Sequence, residues 1–248
     1  MMDGATSVVL LHGVGLDHTM WGPVIDLLDR PAVAVDLAGH GDQSRVTVPS
    51  DLAGFAEDVL SRIPGEPVHL VGFSLGALVA QHIARFHPQR VRSLVCVSAV
   101  CKRTGAERSA VLDRLRLAKR DFAATIDRSL QRWYPMDTGV SAAQIQATRR
   151  MLETNDADAF VRAYQVFATA DGELSTELGR ITAPTLAITG ELDPGSTPEM
   201  TRRLVDALPD ARARVVAGVR HMLPLEAPQL LTDEMEAFIA EAEGRSDD

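Results

Sequence analysis

The sequence has few cysteines and no long apolar run. Its two cysteines, Cys96 and Cys101, lie at the end of a predicted strand, with the spacing of neither a disulfide framework nor a zinc site. We therefore expect buried thiols that form no disulfide and bind no metal, in a reducing compartment. No apolar stretch approaches the roughly 20 residues of a membrane-spanning helix, and the N-terminal residues lack the basic region of a signal peptide. These absences predict a cytoplasmic protein with no membrane partner.

Basic charge is also scarce. The 25 Lys and Arg residues are outnumbered by 34 Asp and Glu, which gives a net charge of −9 and leaves no basic footprint for nucleic acid. Residues 102–183 differ from the rest, because they hold 13 basic and 11 acidic residues while the remaining chain holds 12 and 23. With 248 residues, of which 46% are hydrophobic, the chain is long enough for one large domain, or for a core with an insertion.

Short apolar runs alternate with helical periodicity, which predicts an α/β fold with a mostly parallel sheet and helices on both faces. The strands are apolar throughout, as expected where both faces of a sheet are covered. Residues 102–183 interrupt this alternation with three or four amphipathic helices. We expect a core of residues 1–101 and 184–248 and a helical cap of residues 102–183. The predicted strands are 7–11, 32–36, 67–73, 93–98, 185–190 and 213–217.

A single serine lies where one strand becomes a helix, in "VHLVGFSLGALVAQHIA", residues 68–84. So tight a turn strains the central residue, Ser74, and leaves no room for side chains at Gly72 and Gly76. The turn lifts the Ser74 hydroxyl above the sheet and places it at a helix N-terminus, where developing negative charge is favoured. A G-x-S-x-G string alone is weak evidence, but in this strand–turn–helix context it predicts a nucleophilic serine.

The base and the acid for such a serine are expected after the last two strands. His221 follows strand 213–217, and Asp193 follows strand 185–190. The order Ser74, Asp193, His221 is typical of nucleophile-elbow hydrolases and differs from the orders in chymotrypsin and subtilisin. Each residue alone has an ordinary explanation, since an Asp before Pro is usually a turn former. Because all three follow the carboxyl ends of strands, where ligands bind on such sheets, we predict a catalytic triad.

Acyl transfer also needs hydrogen-bond donors for the oxyanion. We expect the backbone N–H of Leu75, directly after the nucleophile, and that of Val14, in the loop after the first strand. Gly13 and Gly15 allow this loop to approach the substrate closely. No metal-ligand cluster appears, and "GVGLDH" lacks the G-x-G-x-x-G spacing of dinucleotide-binding loops. We therefore predict neither a metal nor a cofactor.

The chain carries five ordered motifs that together resemble the α/β-hydrolase fold superfamily over nearly its whole length: "LLHGVG", "DLAGHGDQS", "GFSLGA", "TGELDPGS" and "GVRHMLPLEAP". Within that superfamily, "HGVGLDHTMWGPVI", "QRWYP" and "LGRITAPTLAITGELDP" are most similar to 3-oxoadipate enol-lactonases and their carboxylesterase relatives. The resemblance implies Ser74 as nucleophile, His221 as base, Asp193 as its orienting acid, and Trp133 of the cap beside the pocket. Only eleven residues precede His12, so we expect six or seven strands where most relatives have eight.

These features predict a serine hydrolase that cleaves an ester or lactone of a small, carboxylate-bearing substrate. Trp133, Arg132 and Phe73 are the expected substrate contacts. Five arginines are expected on the cap helices, and one or two of them are candidates for binding the substrate carboxylate, although charged helix faces are usually only solvated. The candidate arginines are Arg103, Arg114, Arg128, Arg132 and Arg149.

Other functions remain compatible with the same triad. They are hydrolysis of a carbon–carbon bond in a diketone acid, thioesterase or perhydrolase chemistry, and a slow-turnover ligand receptor. Haloalkane dehalogenases and epoxide hydrolases of this superfamily use an aspartate nucleophile, so a serine at position 74 argues against both. The small-molecule substrate and the oligomeric state are not specified by the sequence.

Overall fold

The computed structural model describes residues 7–245, and within them six parallel strands form one sheet. The strand order is β2-β1-β3-β4-β5-β6. All six predicted strands are present, so the α/β, mostly parallel architecture is confirmed. Any strand before residue 7 lies outside the described residues. The strands are β1 Val8–Leu11, β2 Ala32–Val35, β3 Val68–Phe73, β4 Val91–Val97, β5 Thr185–Gly190 and β6 Ala211–Val216.

Helices connect the strands and cover the sheet. The Asp51 side chain accepts a hydrogen bond from the Gly54 N–H and so caps the helix before β3, as is common for helix N-termini. The helices are α1 Gly22–Ile25, α2 Leu52–Arg62, α3 Leu75–Phe86, α4 Gly105–Arg120, α5 Phe122–Trp133, α6 Ala142–Thr154, α7 Ala157–Thr169, α8 Asp171–Leu174, α9 Pro198–Val205, α10 Leu223–Glu226 and α11 Pro228–Gly244.

The centre of the sheet is covered on both faces, but its edges are not. Strands β1, β3 and β5 are buried at every residue. On edge strand β2, however, Val33 is 43% exposed. On the opposite edge, β6 carries Arg212 and Arg214, which pair with Glu241 and Glu234 of α11. The expectation that all strands are covered on both faces is therefore wrong for the edge strands β2 and β6. Each of these has a neighbouring strand on one side only.

Helices α4–α8 all lie between β4 and β5, and we call residues 102–183 the insertion. Four of these helices are long, in agreement with the three or four predicted. The insertion is tied to the rest of the chain near its start. Arg203 of α9 donates to both carboxylate oxygens of Glu107, at 2.9 and 2.8 Å, and to the carbonyl oxygen of Cys101 at 3.3 Å. Glu107 also completes the N-terminal capping box of α4.

The two thiols are buried and unpaired, as expected. Burial raises the pKa of the Cys101 thiol to about 12 and also raises that of Cys96, so both stay protonated and unreactive at neutral pH. No helix within residues 7–245 combines the length and the hydropathy that a membrane span requires.

Candidate active site

Ser74 lies in the tight turn between β3 and α3, with a φ of 54° and a ψ of −109°. This φ is in the region that L-residues rarely adopt, and it is held by a hydrogen bond from Ser74 N–H to the Val97 carbonyl at 3.0 Å. A Cβ at Gly72 would lie 2.3 Å from the Gly76 carbonyl oxygen, and one at Gly76 would lie 2.4 Å from the Leu11 carbonyl oxygen. Both glycines are therefore required by backbone packing, and the strained turn predicted from the sequence is present.

Asp193 and His221 are joined by a short hydrogen bond. Asp193 Oδ2 lies 2.6 Å from His221 Nδ1, and Asp193 Oδ1 accepts the N–H groups of Gly195 at 2.8 Å and Ser196 at 3.0 Å. Asp193 is only 2% exposed, so these three hydrogen bonds satisfy a buried carboxylate. They also fix its orientation, and with it the ring position of His221.

The imidazole of His221 lies between two aromatic side chains. Its centroid is 5.0 Å from that of Phe73 and 5.8 Å from that of Trp133, and the Trp133 ring is stacked at 19° to it. The backbone carbonyl of His221 accepts the Ser98 hydroxyl at 3.1 Å. Phe73 belongs to β3 and Trp133 to the last turn of α5. The imidazole is thus held by groups from the sheet and from the insertion together.

Ser74, Asp193 and His221 all line one cleft. The predicted convergence of three residues that are distant in sequence is therefore observed. Within residues 7–245, no hydrogen bond joins the Ser74 hydroxyl to His221. Contacts between nucleophile and base in unliganded enzymes are often long and tighten when substrate binds.

The loop after β1 lies against Ser74, as an oxyanion-binding loop requires. A Cβ at Gly13 would lie 3.2 Å from the Ser74 Cβ and 3.0 Å from the Phe73 ring. Gly15, with a φ of 77°, turns this loop back. In the described part of the chain, the backbone N–H groups of Val14 and Leu75 donate no hydrogen bond. Both amides are therefore free to bind a ligand oxygen, and Val14 also lines the cleft.

Comparison with known proteins identifies the family. A sequence model of the alpha/beta hydrolase family matches residues 8–234. This chain belongs to that family. Over 240 residues it is 30% identical to the (E)-2-((N-methylformamido)methylene)succinate hydrolase of Acinetobacter baylyi. This alignment covers 94% of this chain and 89% of the relative. It is also 30% identical over 248 residues to the pimeloyl-[acyl-carrier protein] methyl ester esterase of Serratia marcescens, with coverage of 96% and 95%.

Solved structures of similar proteins have the same fold. The enol-lactonase from Burkholderia xenovorans LB400 superimposes with a TM-score of 0.85 at 22% identity, covering 96% of this chain and 92% of that one. A thermophilic esterase from Thermogutta terrifontis gives a TM-score of 0.82 at 22% identity, with coverage of 96% and 90%. These two structures show the shared fold, and the family match with its curated relatives supports a hydrolase of the alpha/beta hydrolase family.

Two arginines of this alpha/beta hydrolase face the cleft without a carboxylate partner in the described residues. Arg132 contacts only neutral groups, with the Ser129 hydroxyl at 3.4 Å and the Trp133 ring centroid 5.6 Å from its guanidinium carbon. Burial lowers the pKa of the Arg132 guanidinium, although it stays charged at neutral pH. Arg114 donates from Nε to the Tyr164 hydroxyl at 3.0 Å. Both cations are available to an anionic ligand.

The other candidate arginines differ among themselves. Arg103 precedes α4 and lies buried, with Nη1 2.6 Å from Asp171 Oδ1, so its charge is already neutralised and it does not face the cleft. Arg149 pairs with Asp127 at 2.9 Å and with Glu153 at 3.4 Å near the surface. Both are therefore structural, and the expectation that Arg103 lies on a helix of the insertion is wrong.

Several cleft residues were not found from the sequence. Phe160, Tyr164 and Phe167 of α7 line the cleft; their spacing indicates one helix face but not which neighbour that face contacts. Ser196, which follows Asp193 in the same loop, also lines the cleft. Its hydroxyl is buried without a hydrogen-bond partner among the described groups, and no pattern in the sequence distinguishes it from an ordinary turn serine.

Proposed function

We propose that this protein is a cofactor-free serine hydrolase that cleaves an ester or lactone of a small, carboxylate-bearing compound. The observation that carries the proposal is the cleft in which the strained Ser74 and the hydrogen-bonded pair of His221 and Asp193 meet. A nucleophile, a base and a group that orients the base are the parts required for covalent acyl transfer. We further propose that residues 102–183 act as a cap that contributes Trp133 and Arg132 to this cleft.

In the proposed reaction, His221 Nε2 takes the Ser74 hydroxyl proton as Oγ attacks the substrate carbonyl. Asp193 holds the other ring nitrogen, which fixes the tautomer and stabilises the imidazolium. The Val14 and Leu75 amides then bind the tetrahedral oxyanion, and the N-terminus of α3 adds favourable electrostatic potential. His221 returns the proton to the leaving oxygen, leaving an acyl group on Ser74. Water, activated by His221, hydrolyses that acyl-enzyme and restores the serine.

The two arginines without an ion-pair partner in the described residues are the reason for proposing a substrate that carries a carboxylate. Within the described residues, Arg132 and Arg114 are half-buried cations that donate hydrogen bonds to neutral hydroxyls and form no ion pair, and a charge removed from water is costly unless a ligand compensates it. A guanidinium binds a carboxylate through two parallel hydrogen bonds. Each half of the proposal has a relative behind it, because the Acinetobacter protein is named for a succinate, which carries carboxylates, and the Serratia protein for a methyl ester.

The nucleophile is tested by Ser74→Ala, with Ser61→Ala as the matched control. Ser61 is exposed and its hydroxyl bonds only to the Asp58 carbonyl. With p-nitrophenyl acetate we expect Ser74→Ala to lose about four to six orders of magnitude in kcat, while Ser61→Ala keeps wild-type turnover. A fluorophosphonate should label the wild type at Ser74 and leave the alanine variant unlabelled. Near-normal turnover by Ser74→Ala would overturn the mechanism.

The substrate class is tested by paired esters. We expect kcat/KM for monomethyl glutarate, which carries a carboxylate, to exceed that for neutral dimethyl glutarate. Equal values would remove the carboxylate from the proposal and leave the esterase activity standing. The same measurements with a thioester and a vinylogous diketone distinguish thioesterase and carbon–carbon hydrolase activity from ester cleavage.

A further inference from the structure

A second cavity of about 240 Å³ lies directly beside the catalytic cleft, between α4, α5 and α7. Four side chains line both spaces: Arg114, Ser129, Arg132 and Tyr164. The two cavities therefore adjoin at two arginines, a hydroxyl and a phenol. We call this second space the outer chamber.

The outer chamber is rich in unpaired positive charge. Besides the two shared arginines it is lined by Arg128, which is exposed and has no ion-pair or hydrogen-bond partner in the described chain. The one acidic group in its lining, Asp113, is already paired with Arg116 of the same helix. Three cations in a chain of net charge −9 create a local potential that attracts anions.

We propose that the outer chamber is a distal anion subsite of the catalytic cleft, filled by the carboxylate end of an extended acyl or alkyl chain. The inference rests on the proposed function, because the scissile carbonyl must lie at Ser74 while the far end of the same molecule reaches Arg128. The ligand class is a half-ester or lactone whose free carboxylate is separated from the reacting carbonyl by a long chain.

The spacing of two arginines determines the ligand chain length that the outer chamber accommodates. Arg128 and Arg132 are four residues apart on α5, so their Cβ atoms lie about 5–6 Å apart on the same helix face. An extended chain advances about 1.2 Å per covalent bond, so roughly four additional methylenes move a carboxylate from Arg132 to Arg128. A short half-ester should therefore use Arg132, and one longer by four methylenes should reach the outer chamber.

The test compares Arg128→Gln with Arg150→Gln. Arg150 is also exposed, lies on α6, has no ion-pair partner in the described residues and lines neither cavity, so it controls for the change in net charge. We expect Arg128→Gln to lower kcat/KM for monomethyl azelate about tenfold relative to that for monomethyl glutarate, through KM and not kcat. The difference should shrink at high ionic strength. Arg150→Gln should leave the ratio unchanged.

Either of two results would overturn the subsite: an equal loss on both esters in Arg128→Gln, or the same ratio in both variants. If wild-type protein hydrolyses neither ester, the proposed function fails. Calorimetric measurement of azelate binding then tests the outer chamber independently of catalysis. Weaker azelate binding in Arg128→Gln than in Arg150→Gln, with nonanoate insensitive to both, supports the chamber. Equal azelate affinity in the two variants rejects it.

Discussion

Replacing Gly76 by alanine tests whether the nucleophile turn depends on close backbone packing. An added Cβ would lie 2.4 Å from the Leu11 carbonyl oxygen and 2.6 Å from that of His12, whereas ordinary contact begins near 3.4 Å. The N-terminus of α3 would have to move away from the end of β1 by about 1 Å. The Gly76 N–H donates to that same His12 carbonyl at 3.0 Å, so the shift also stretches a hydrogen bond. Neither obstructing atom belongs to a flexible side chain.

The expected cost has a folding part and a catalytic part. Overpacking of this kind destabilises by about 1–3 kcal/mol, measurable as a lower free energy of unfolding in urea. Moving α3 also moves Ser74 and the Leu75 amide relative to the Val14 loop, and a misplacement of about 1 Å costs roughly 100-fold in rate. We therefore expect Gly76→Ala to lose about two orders of magnitude in kcat/KM for p-nitrophenyl acetate.

Gly65→Ala is the matched control for this experiment. A Cβ at Gly65 meets nothing within 4 Å, and the residue lies in the loop between α2 and β3, away from the cleft. We expect wild-type activity and a free energy of unfolding within about 1 kcal/mol of wild type. If Gly76→Ala behaved like Gly65→Ala in both measurements, the argument that backbone packing sets the Ser74 conformation would be refuted.

Two further predictions concern the buried histidines and Asp193, the proposed acid of the triad. Burial lowers the pKa of His12 to about 4 and that of His40 to about 3, so the unfolded chain binds protons near pH 6.5 that the folded protein does not. The free energy of unfolding should therefore fall by about 2 kcal/mol between pH 7.0 and 5.5, and by about half as much in His12→Asn; urea titrations showing no loss would contradict this. Asp193→Asn should fold normally, because its carbonyl oxygen can still accept the Gly195 N–H, yet lose about 10³–10⁴-fold in kcat. A loss below tenfold would argue against Asp193 as the orienting acid.

Much of the fold could be predicted because its signals are local. The six strands are apolar runs, and each lies within two residues of its predicted bounds. Ser74, Asp193 and His221 could be placed together because the carboxyl ends of parallel strands meet at one edge of a sheet. The glycines at 72 and 76 also carry local information, since no other residue fits the space left by the turn.

The remaining features depend on contacts between elements that are far apart in the sequence. Arg103 and Arg132 are both arginines of the insertion, but only the packed structure shows that Asp171 neutralises the first and that the second forms no ion pair within the described residues. From the sequence, the face of α7 that carries Tyr164 cannot be distinguished from an ordinary buried helix face. Only the folded structure shows that it lines the cleft. The exposure of Val33 likewise follows from its strand being last in the sheet order, which composition does not reveal.

The stacking of Trp133 on His221 has a consequence for protein engineering. Under the proposed function, grafting the region between β4 and β5 from another family member would exchange the surface that contacts the substrate, but it would also remove one of the two rings that flank His221. A chimera would therefore have to keep an indole, or an aromatic of similar reach, where α5 ends. If that proposal holds, reactivity and selectivity cannot be exchanged independently, because Trp133 both lines the cleft and stacks on His221.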